Sequence, residues 1–186
     1  GAAHCTYFFT FAKASNHGLQ GPDQAEWTRR VENNLDDLRA AIALSLARGV
    51  DPVISVKLEV ALMGFWMLRG YSSEGRRYVR ASLELPEVRA SDAIHAHALY
   101  VGACLAEGQS NYAEAQQMLQ SCLALRRNLN SPIDIAASLS TLSLVRLHTG
   151  NFKFEGVSET GADLRFVAAD DKTVLNHQIE QFDPLL

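Results

Sequence analysis

Apolar residues recur along this chain at intervals of three and four, the spacing that puts side chains on one face of an α-helix. Leu35, Leu38, Ile42 and Leu46 are one such series. No alternating β-branched run competes with this pattern, so we predict an all-α protein. The predicted helices cover residues 3–16, 23–33, 35–48, 52–69, 72–85, 92–107, 111–128, 132–149, 152–168 and 171–182.

Capping residues support several of these boundaries. Asp51 and Ser131 each precede a proline, which combines an N-cap with proline at the first helical position. Ser91 stands before Asp92 and predicts another capped start. Glycines predict three helix ends, because glycine accepts the left-handed backbone that often follows a helix. These are Gly70, Gly108 and Gly150.

A short segment returns along the chain at one fixed interval, which we call the repeat period. It begins at Gly70, again at Ser110, and more weakly at Gly150. A fixed period of about 40 residues is typical of repeat proteins, in which each unit covers the apolar face of its neighbour. We therefore predict helix pairs at 52–85, 92–128 and 132–168 within a single domain of 1–186. Residues 1–50 fall outside the period as linker-type helices, and 169–186 form a C-terminal cap or tail.

The period also predicts which residues meet inside each pair. Phe65, Leu105 and Val145 are expected to fill the core at equivalent places. Small or medium residues two positions earlier are expected where the paired helices cross closely: Met63, Ala103 and Ser143. The second helix of each pair is expected to pack back through Gly75 and Val79, or through Ala115 and Leu119.

One piece of the repeat resembles a known family. The sequence Asn-Tyr-x-x-Ala at Asn111 to Ala115, set between two helices, resembles the tetratricopeptide repeat. The period of this chain is longer than that repeat's usual period of about 34 residues. The resemblance implies a right-handed superhelix of antiparallel helix pairs, a tetratricopeptide-like α-solenoid.

Two other stretches resemble bacterial signalling ATPases of the NB-ARC type. Trp27 to Glu32, followed by Asp36 to Ile42, is similar to the segment that joins the ATPase to its helical repeats. Gly70 to Leu83 is similar to the first repeat of the same proteins. The resemblance implies an ATPase upstream of this chain, a DNA-binding or cyclase domain elsewhere, and a cytoplasmic regulator of transcription or signalling.

The third pair departs from the pattern after Phe152. Glu155 stands where an alanine is expected, and Gly156 and Gly161 lie inside the predicted helix. Each glycine costs up to about 1 kcal/mol relative to alanine. We expect a degraded third pair, followed by an amphipathic cap that places three apolar residues on one side: Leu175, Ile179 and Phe182.

Composition narrows the classes of function. The 186 residues carry a net charge of −4, which argues against direct nucleic-acid binding. No apolar run approaches a membrane span of about 20 residues, and the start lacks the basic and apolar regions of a signal peptide. Three widely spaced cysteines do not make a disulfide framework, so reduced thiols are expected.

Motifs for catalysis and cofactor binding are missing from the sequence. It contains no GxxxxGK[ST], GxSxG or HExxH, so we expect no enzyme, cofactor or metal in this chain. His95 and His97 would lie about 200° apart on a helix, which suits no shared metal. Asp36 and Asp37 are best explained as favourable charges in the first turn of a helix.

Two further clusters leave alternatives open. Cys104 and Cys122 fall on paired helices and are either a buried reduced pair or a redox switch, and the former is favoured. Arg76, Arg77 and Arg80 form a basic strip. It is either a solvated face, which is favoured, or a docking strip for an acidic partner or for the upstream ATPase.

The remaining candidate site is a groove lined by the first helix of each pair. By their spacing of four and three, Tyr100, Cys104 and Glu107 share one helical face. Their counterparts one period later are Ser140, Leu144 and Leu147. In tetratricopeptide-like arrays this face commonly takes a peptide or protein segment. The alternative is that these residues only pack one repeat against the next.

These patterns predict a protein- or ligand-binding module that acts as the sensor of a bacterial regulator. One alternative is a stand-alone tetratricopeptide scaffold without an ATPase. A less favoured one is an all-helical enzyme, which would need acid and base residues converging in a pocket.

Overall fold

The computed structural model describes residues 2–47, 52–150, 166–167 and 174–175, and the regular structure in these ranges is helical except at the last four residues. The helices are α1 (Ala2–Gly18), α2 (Gln24–Asn33), α3 (Leu35–Leu46), α4 (Pro52–Arg69), α5 (Ser72–Leu83), α6 (Pro86–Arg89), α7 (Asp92–Glu107), α8 (Tyr112–Asn128) and α9 (Pro132–His148). The eight helices predicted before residue 150 are all present, with ends within two positions of those expected. The all-α prediction is therefore confirmed for this part of the chain.

The short helix α6 was not predicted. Leu85 is extended, with ψ 128°, as a residue before proline prefers to be, and Pro86 then takes the first helical position of a single turn. The sequence pattern indicates Pro86 only as the end of the preceding helix. That helix, α5, ends at Leu83.

The four residues that are not helical form an antiparallel pair of strands, β1 (Phe166–Val167) and β2 (Val174–Leu175). Phe166 lies opposite Leu175, and Val167 lies opposite Val174. The helices predicted over 152–168 and 171–182 are wrong at these four positions, where aromatic and β-branched residues favour extended backbone. The rest of those two helices, and with them most of the cap, lies outside the described residues.

The turn after each first helix repeats in the structure. Gly70, Ser110 and Gly150 all have left-handed backbone, with φ of 77°, 58° and 69°. Helix α7 ends before Gly108 as predicted, but Gly108 itself is right-handed, and the left-handed position falls on Ser110. The amide of Tyr71 donates to Trp66 O at 2.8 Å, and one period later the amide of Asn111 donates to Ala106 O at 2.9 Å. The period therefore describes the backbone as well as the side chains.

The predicted caps have different outcomes. The Ser91 hydroxyl accepts from the amide of Ile94 at 3.5 Å, which confirms the cap of α7. Ser131 does not cap α9; its hydroxyl donates to Asp134 Oδ2 at 2.6 Å, which keeps it from the backbone amides. Asp51 lies outside the described residues.

The helices pack in sequence order. Helix α4 packs on α5, α5 on α7, α7 on α8 and α8 on α9, while α4 also packs on α7. Phe65, Leu105 and Val145 are fully buried, so the predicted core series is confirmed. Of the three expected close-crossing residues, Ala103 is buried and Met63 is partly buried. Ser143 is exposed, and the helix that it was expected to cross, within 152–168, lies almost wholly outside the described residues, so that part stays a prediction.

The two complete pairs solve the same close approach with different residues. Gly75 of α5 lies against Trp66, and a Cβ there would come within 2.5 Å of the indole and 2.8 Å of Leu105. In the second pair the equivalent positions are Ala115 and Ala106, both fully buried. At the same crossing, the first pair therefore packs a large residue against glycine, whereas the second pair packs two small residues against each other.

Helices α1 and α3 pack against α4 and against each other. In α3, the residues Leu38, Ile42 and Ser45 are buried, with the same spacing of four and three that separates three buried residues of α5. Those α5 residues are Gly75, Val79 and Ser82. Helix α3 thus has the same pattern of buried residues as the second helix of a pair, although the sequence pattern assigned it to a linker. The single domain of 1–186 stays a prediction.

Candidate functional site

The predicted groove residues on α7 lie against α9. The Tyr100 hydroxyl is 3.4 Å from Thr141 Oγ1, and the guanidinium carbon of Arg126 lies 4.3 Å from the Tyr100 ring centre. Burial raises the pKa of Tyr100. Arg126 is itself only 3% exposed and donates to the Asp134 carbonyl at 2.8 Å. Tyr100 is therefore a packing residue between α7, α8 and α9.

The other two residues on this face are also engaged. Cys104 is buried, and burial raises the pKa of its thiol to about 11. Glu107 Oε1 lies 3.4 Å from His148 Nδ1 of α9. The His148 ring stacks on Tyr112, with the ring centres 5.2 Å apart. This part of the predicted groove is a contact between repeats, as the alternative interpretation held.

Their counterparts on α9 face solvent. Ser140 is exposed, and Leu144 and Leu147 are 49% and 58% exposed. Ile133 shares their helical face and is 83% exposed. We call Ile133, Ser140, Leu144 and Leu147 the α9 stripe. The six predicted residues therefore do not line one open groove, and partner binding by the three on α9 stays a prediction.

A buried carboxyl between α4 and α5 was missed by sequence reasoning. Glu59 is fully buried, and Ser82 donates to its Oε1 at 2.5 Å. The hydroxyls of Ser55 and Ser82 are 2.9 Å apart. Among the described residues, no group hydrogen-bonds to Glu59 Oε2. Burial raises the pKa of Glu59 to about 8, so the side chain is mainly uncharged at neutral pH.

The repeat itself contains the signal that would have revealed this carboxyl. One period after Glu59 and Ser82 stand Leu99 and Cys122, which are both buried. A polar pair thus occupies positions that are apolar in the next unit. Aligning the two units position by position predicts burial for Glu59, whereas its own helix alone does not.

The basic strip on α5 is mostly neutralised within the chain. Arg76 forms an ion pair with Glu114 of α8 and donates to Gln109 Oε1 at 2.6 Å. Arg80 donates to Glu114 Oε1 at 3.0 Å. Burial would raise the pKa of Glu114, but the bonds from Arg80 and Arg76 outweigh it and lower that pKa. Arg77 lies over the Tyr78 ring at 5.4 Å. Two of the three arginines are therefore committed to a contact between units.

A matching ion pair joins α3 to α5. Arg39 donates to both oxygens of Glu74, at 2.7 Å from Nε and 2.8 Å from Nη2. This bidentate bond lowers the pKa of Glu74. Glu74 and Glu114 are equivalent positions of the repeat, and each lies in the first turn of a second helix. In both cases an arginine of the preceding unit clamps this acidic first turn, where a negative charge also favours the helix dipole.

The cysteines show no sign of activation. Cys5, Cys104 and Cys122 are buried and free. Burial raises the pKa of the Cys122 thiol as it does for Cys104, and Cys122 donates to the Ala96 carbonyl at 3.2 Å. A thiol with a raised pKa is a poor nucleophile at neutral pH. These contacts agree with a buried reduced pair.

Two shallow depressions lie on the described surface. One of about 410 Å³ is lined by Arg39, Ser73, Glu74, Arg77 and Tyr78. Another of about 450 Å³ lies between α2 and the end of α4. In the part of the chain that the structure describes, no cluster of three potential metal ligands is found. No helix there is long and apolar enough to cross a membrane.

Comparison with known proteins finds no matching family model, curated protein or solved structure for this chain. The resemblance to tetratricopeptide repeats and NB-ARC-type ATPases therefore rests on the residues given above.

Proposed function

We propose that this protein is a partner-binding module of stacked helix pairs, and that it serves as the sensor of a larger bacterial regulator. The observation that carries the proposal is the return of the same turn and the same buried residue once in every repeat period. The repeated turn is at Gly70, Ser110 and Gly150. The repeated buried residues, which fill the core, are Phe65, Leu105 and Val145. Repeats of this kind usually hold and present partners.

The arrangement we propose is a right-handed, tetratricopeptide-like superhelix. Supporting it, the first unit contacts the next through both of its helices, since α4 and α5 each pack on α7. Because contacts in such a stack are mainly between neighbours, it bends with small changes at each interface. If the stack exists in two bent shapes, a partner can shift the equilibrium between them by no more than the difference between its binding free energies for the two shapes.

The α9 stripe is the surface that we propose for the partner. Leu144 and Leu147 are large apolar side chains left half exposed on a helix whose opposite face is buried through Leu142 and Val145. Exposed apolar patches commonly mark interaction sites. The partner surface that would fit this stripe is the apolar face of a helix or peptide.

The test compares two full-length variants with similar substitutions. Leu144→Asp combined with Leu147→Asp removes the apolar stripe, while Leu129→Asp alters a leucine of similar exposure, 42%, just after α8. A partner captured by cross-linking is purified and its Kd is measured. We expect the stripe variant to weaken binding at least about tenfold, or about 1.4 kcal/mol, and Leu129→Asp to leave it unchanged. Equal binding by both variants would remove the stripe from the proposal.

The regulator part of the proposal has its own test. If an ATPase with a GxxxxGK[ST] loop is encoded upstream in the same polypeptide, its hydrolysis rate should respond to the purified partner. A partner that binds tightly without changing that rate, or a polypeptide without such a loop, favours the plain scaffold.

A further inference from the structure

The α9 stripe lies on a helical face that is covered one period earlier. On α7 this face presents Tyr100 and Glu107, which meet Thr141 and His148 of α9, each at 3.4 Å. On α9 the apolar residues of the same face are exposed. The stripe is therefore a contact surface of the repeat whose occupant has to be found.

The next first helix of the repeat does not begin where the period would place it. One period after Pro132, at which α9 begins, stands Lys172. Two positions further on, Val174 and Leu175 belong to strand β2. These described residues are extended, so they do not supply the following helix, and a different occupant of the stripe is needed.

The exposed face of α9 is arranged symmetrically about Ser140. Ile133 and Leu147 lie seven positions before and after Ser140, and Ala136 and Leu144 lie four positions before and after it. All five residues are exposed. At 3.6 residues per turn, offsets of four and seven positions return to within about 40° of the same direction. One continuous face therefore carries matched positions on both sides of a central serine.

Such a face is complementary to itself when two copies of α9 run antiparallel. About a two-fold axis at Ser140, each residue faces the one that lies equally far on the other side of Ser140 in the second copy. Ile133 then meets Leu147, Leu144 meets the small Ala136, and Ser140 meets its own copy. The small residues near the centre let the two helices approach closely, because interaxial distance depends on the side chains at the contact.

Charge favours the same direction of pairing. The first turn of α9 carries Asp134, and its last turn carries Arg146 and His148. The side chains of Asp134 and His148 are still 41% and 45% exposed, despite their contacts within the chain. Antiparallel pairing sets the acidic start of each helix beside the basic end of the other and also opposes the two helix dipoles. Parallel pairing would bring like charges together.

We propose that the partner of the α9 stripe is a second copy of this chain, and that two copies pair antiparallel through α9 about a two-fold axis at Ser140. The inference rests on the proposed function in one respect, that the stripe is a partner-binding surface. One helix from each copy makes a small interface, and interfaces below about 1,200 Å² are typical of weak, reversible contacts. We therefore expect a dimer that dissociates on dilution.

Sedimentation velocity of the full chain between about 1 and 200 μM tests the association. We expect the mean mass of the wild type to rise with concentration towards that of two chains. Leu144→Asp combined with Leu147→Asp should stay monomeric, whereas Leu129→Asp, which alters an exposed leucine outside α9, should associate as the wild type does. Circular dichroism checks that each variant keeps its helical content. A wild type that stays monomeric throughout, or a stripe variant that associates equally well, would overturn the proposal.

Disulfide trapping tests the position of the two-fold axis. Ser140→Cys places one thiol at the axis, and the control Ser121→Cys places one on the exposed side of α8. Because Cys5, Cys104 and Cys122 are buried, mild oxidation acts mainly on the new thiol. We expect Ser140→Cys to form a covalent dimer several-fold faster than the control, and equal rates would contradict the antiparallel pairing.

The outcomes separate this pairing from the proposed function. A monomeric wild type whose stripe variant still loses a different, cross-linked partner would overturn the pairing and leave the stripe as a binding surface. A monomer in which the thiol of Ser140→Cys reacts several-fold more slowly with a maleimide than that of Ser121→Cys would assign the stripe to another segment of the same chain, and would also overturn the pairing.

Discussion

The two complete helix pairs have the same backbone arrangement but differ at one buried site. Between α7 and α8 the site is apolar, with Leu99 and Cys122 buried together. Between α4 and α5 the equivalent residues are Glu59 and Ser82, joined by a 2.5 Å hydrogen bond. The comparison shows that the repeat geometry does not require an apolar interior, since the first pair keeps a polar one. We expect this polar site to cost stability, because Glu59 Oε2 has no hydrogen-bond partner among the described residues.

The cost of the polar site depends on pH. The pKa of Glu59 is raised from 4.5 to about 8 by burial, so between these values the unfolded chain releases a proton that the folded chain keeps. The free energy of unfolding therefore falls as pH rises through this range and levels off above the folded pKa. The second pair has no such group at the equivalent position.

The largest effect should come from the core that both pairs share. Leu105 is fully buried and contacts the crossing at Gly75, so Leu105→Ala should lower the free energy of unfolding by roughly 2–5 kcal/mol. The matched control is Leu144→Ala, half exposed on α9, with an expected change within about 0.5 kcal/mol. Urea unfolding monitored by circular dichroism measures both. Similar losses for the two variants would mean that the repeated core series does not hold the pairs together.

Exchanging the polar site for the apolar one should have the next largest effect. Glu59→Leu gives the first pair the residue of the second, and should stabilise the protein by roughly 1–3 kcal/mol at pH 8. Glu59→Gln keeps the shape of the side chain and should remove the pH dependence. Leu99→Glu is the reverse exchange and should destabilise. Unfolding measured from pH 5 to pH 9 would contradict the comparison if wild type and Glu59→Gln had the same slope.

The crossing residues give a smaller but direct contrast. Gly75→Ala places a methyl group against Trp66, and should destabilise by about 1 kcal/mol because the core is overpacked. Ala115→Gly in the second pair should cost a similar amount for a different reason, the lower helix propensity of glycine. Combining Gly75→Ala with Trp66→Phe should recover part of the first loss, whereas Trp66→Phe should not relieve the second. Thermal unfolding of these variants measures the differences, and a neutral Gly75→Ala would contradict the tight fit.

The ion-pair clamps should have the smallest effect. Arg76→Gln removes an ion pair that is mostly shielded from solvent, and Arg39→Gln removes one whose arginine is 36% exposed. We expect each to cost roughly 0.5–1 kcal/mol at low salt, and less at high salt because exposed charges are screened. Urea midpoints at two salt concentrations check this. Salt-independent losses would assign the effect to packing of the arginine stems instead.

Local signals made most of the fold predictable. The ends of α4 and α7 follow from Pro52, Ser91 and the glycine after Arg69, because capping depends on neighbouring residues. The single turn of α6 was not predicted, because Pro86 both ends one helix and begins another. The strands at Phe166 and Val174 were not predicted because each is only two residues long, too short to show the alternation of apolar and polar residues that indicates a strand.

The candidate site was less predictable, because it depends on which helix covers which face. The spacing of Tyr100, Cys104 and Glu107 places them on one helical face, but no local pattern says that α9 packs against it. Glu59 lies on a helix that also carries apolar faces, and it contacts Ser82 of the next helix, α5. Such information comes from tertiary packing, or from aligning the two units.

The most direct test of this account is the ionisation of Glu59 in the folded protein, followed by the carbon NMR shift of its side-chain carboxyl as pH is raised. The account predicts a midpoint near 8, well above the ordinary value, because the first pair buries this carboxyl where the second pair buries Leu99. A midpoint near 4.5, the unperturbed value, would place Glu59 in water and contradict the equivalence of the two pairs.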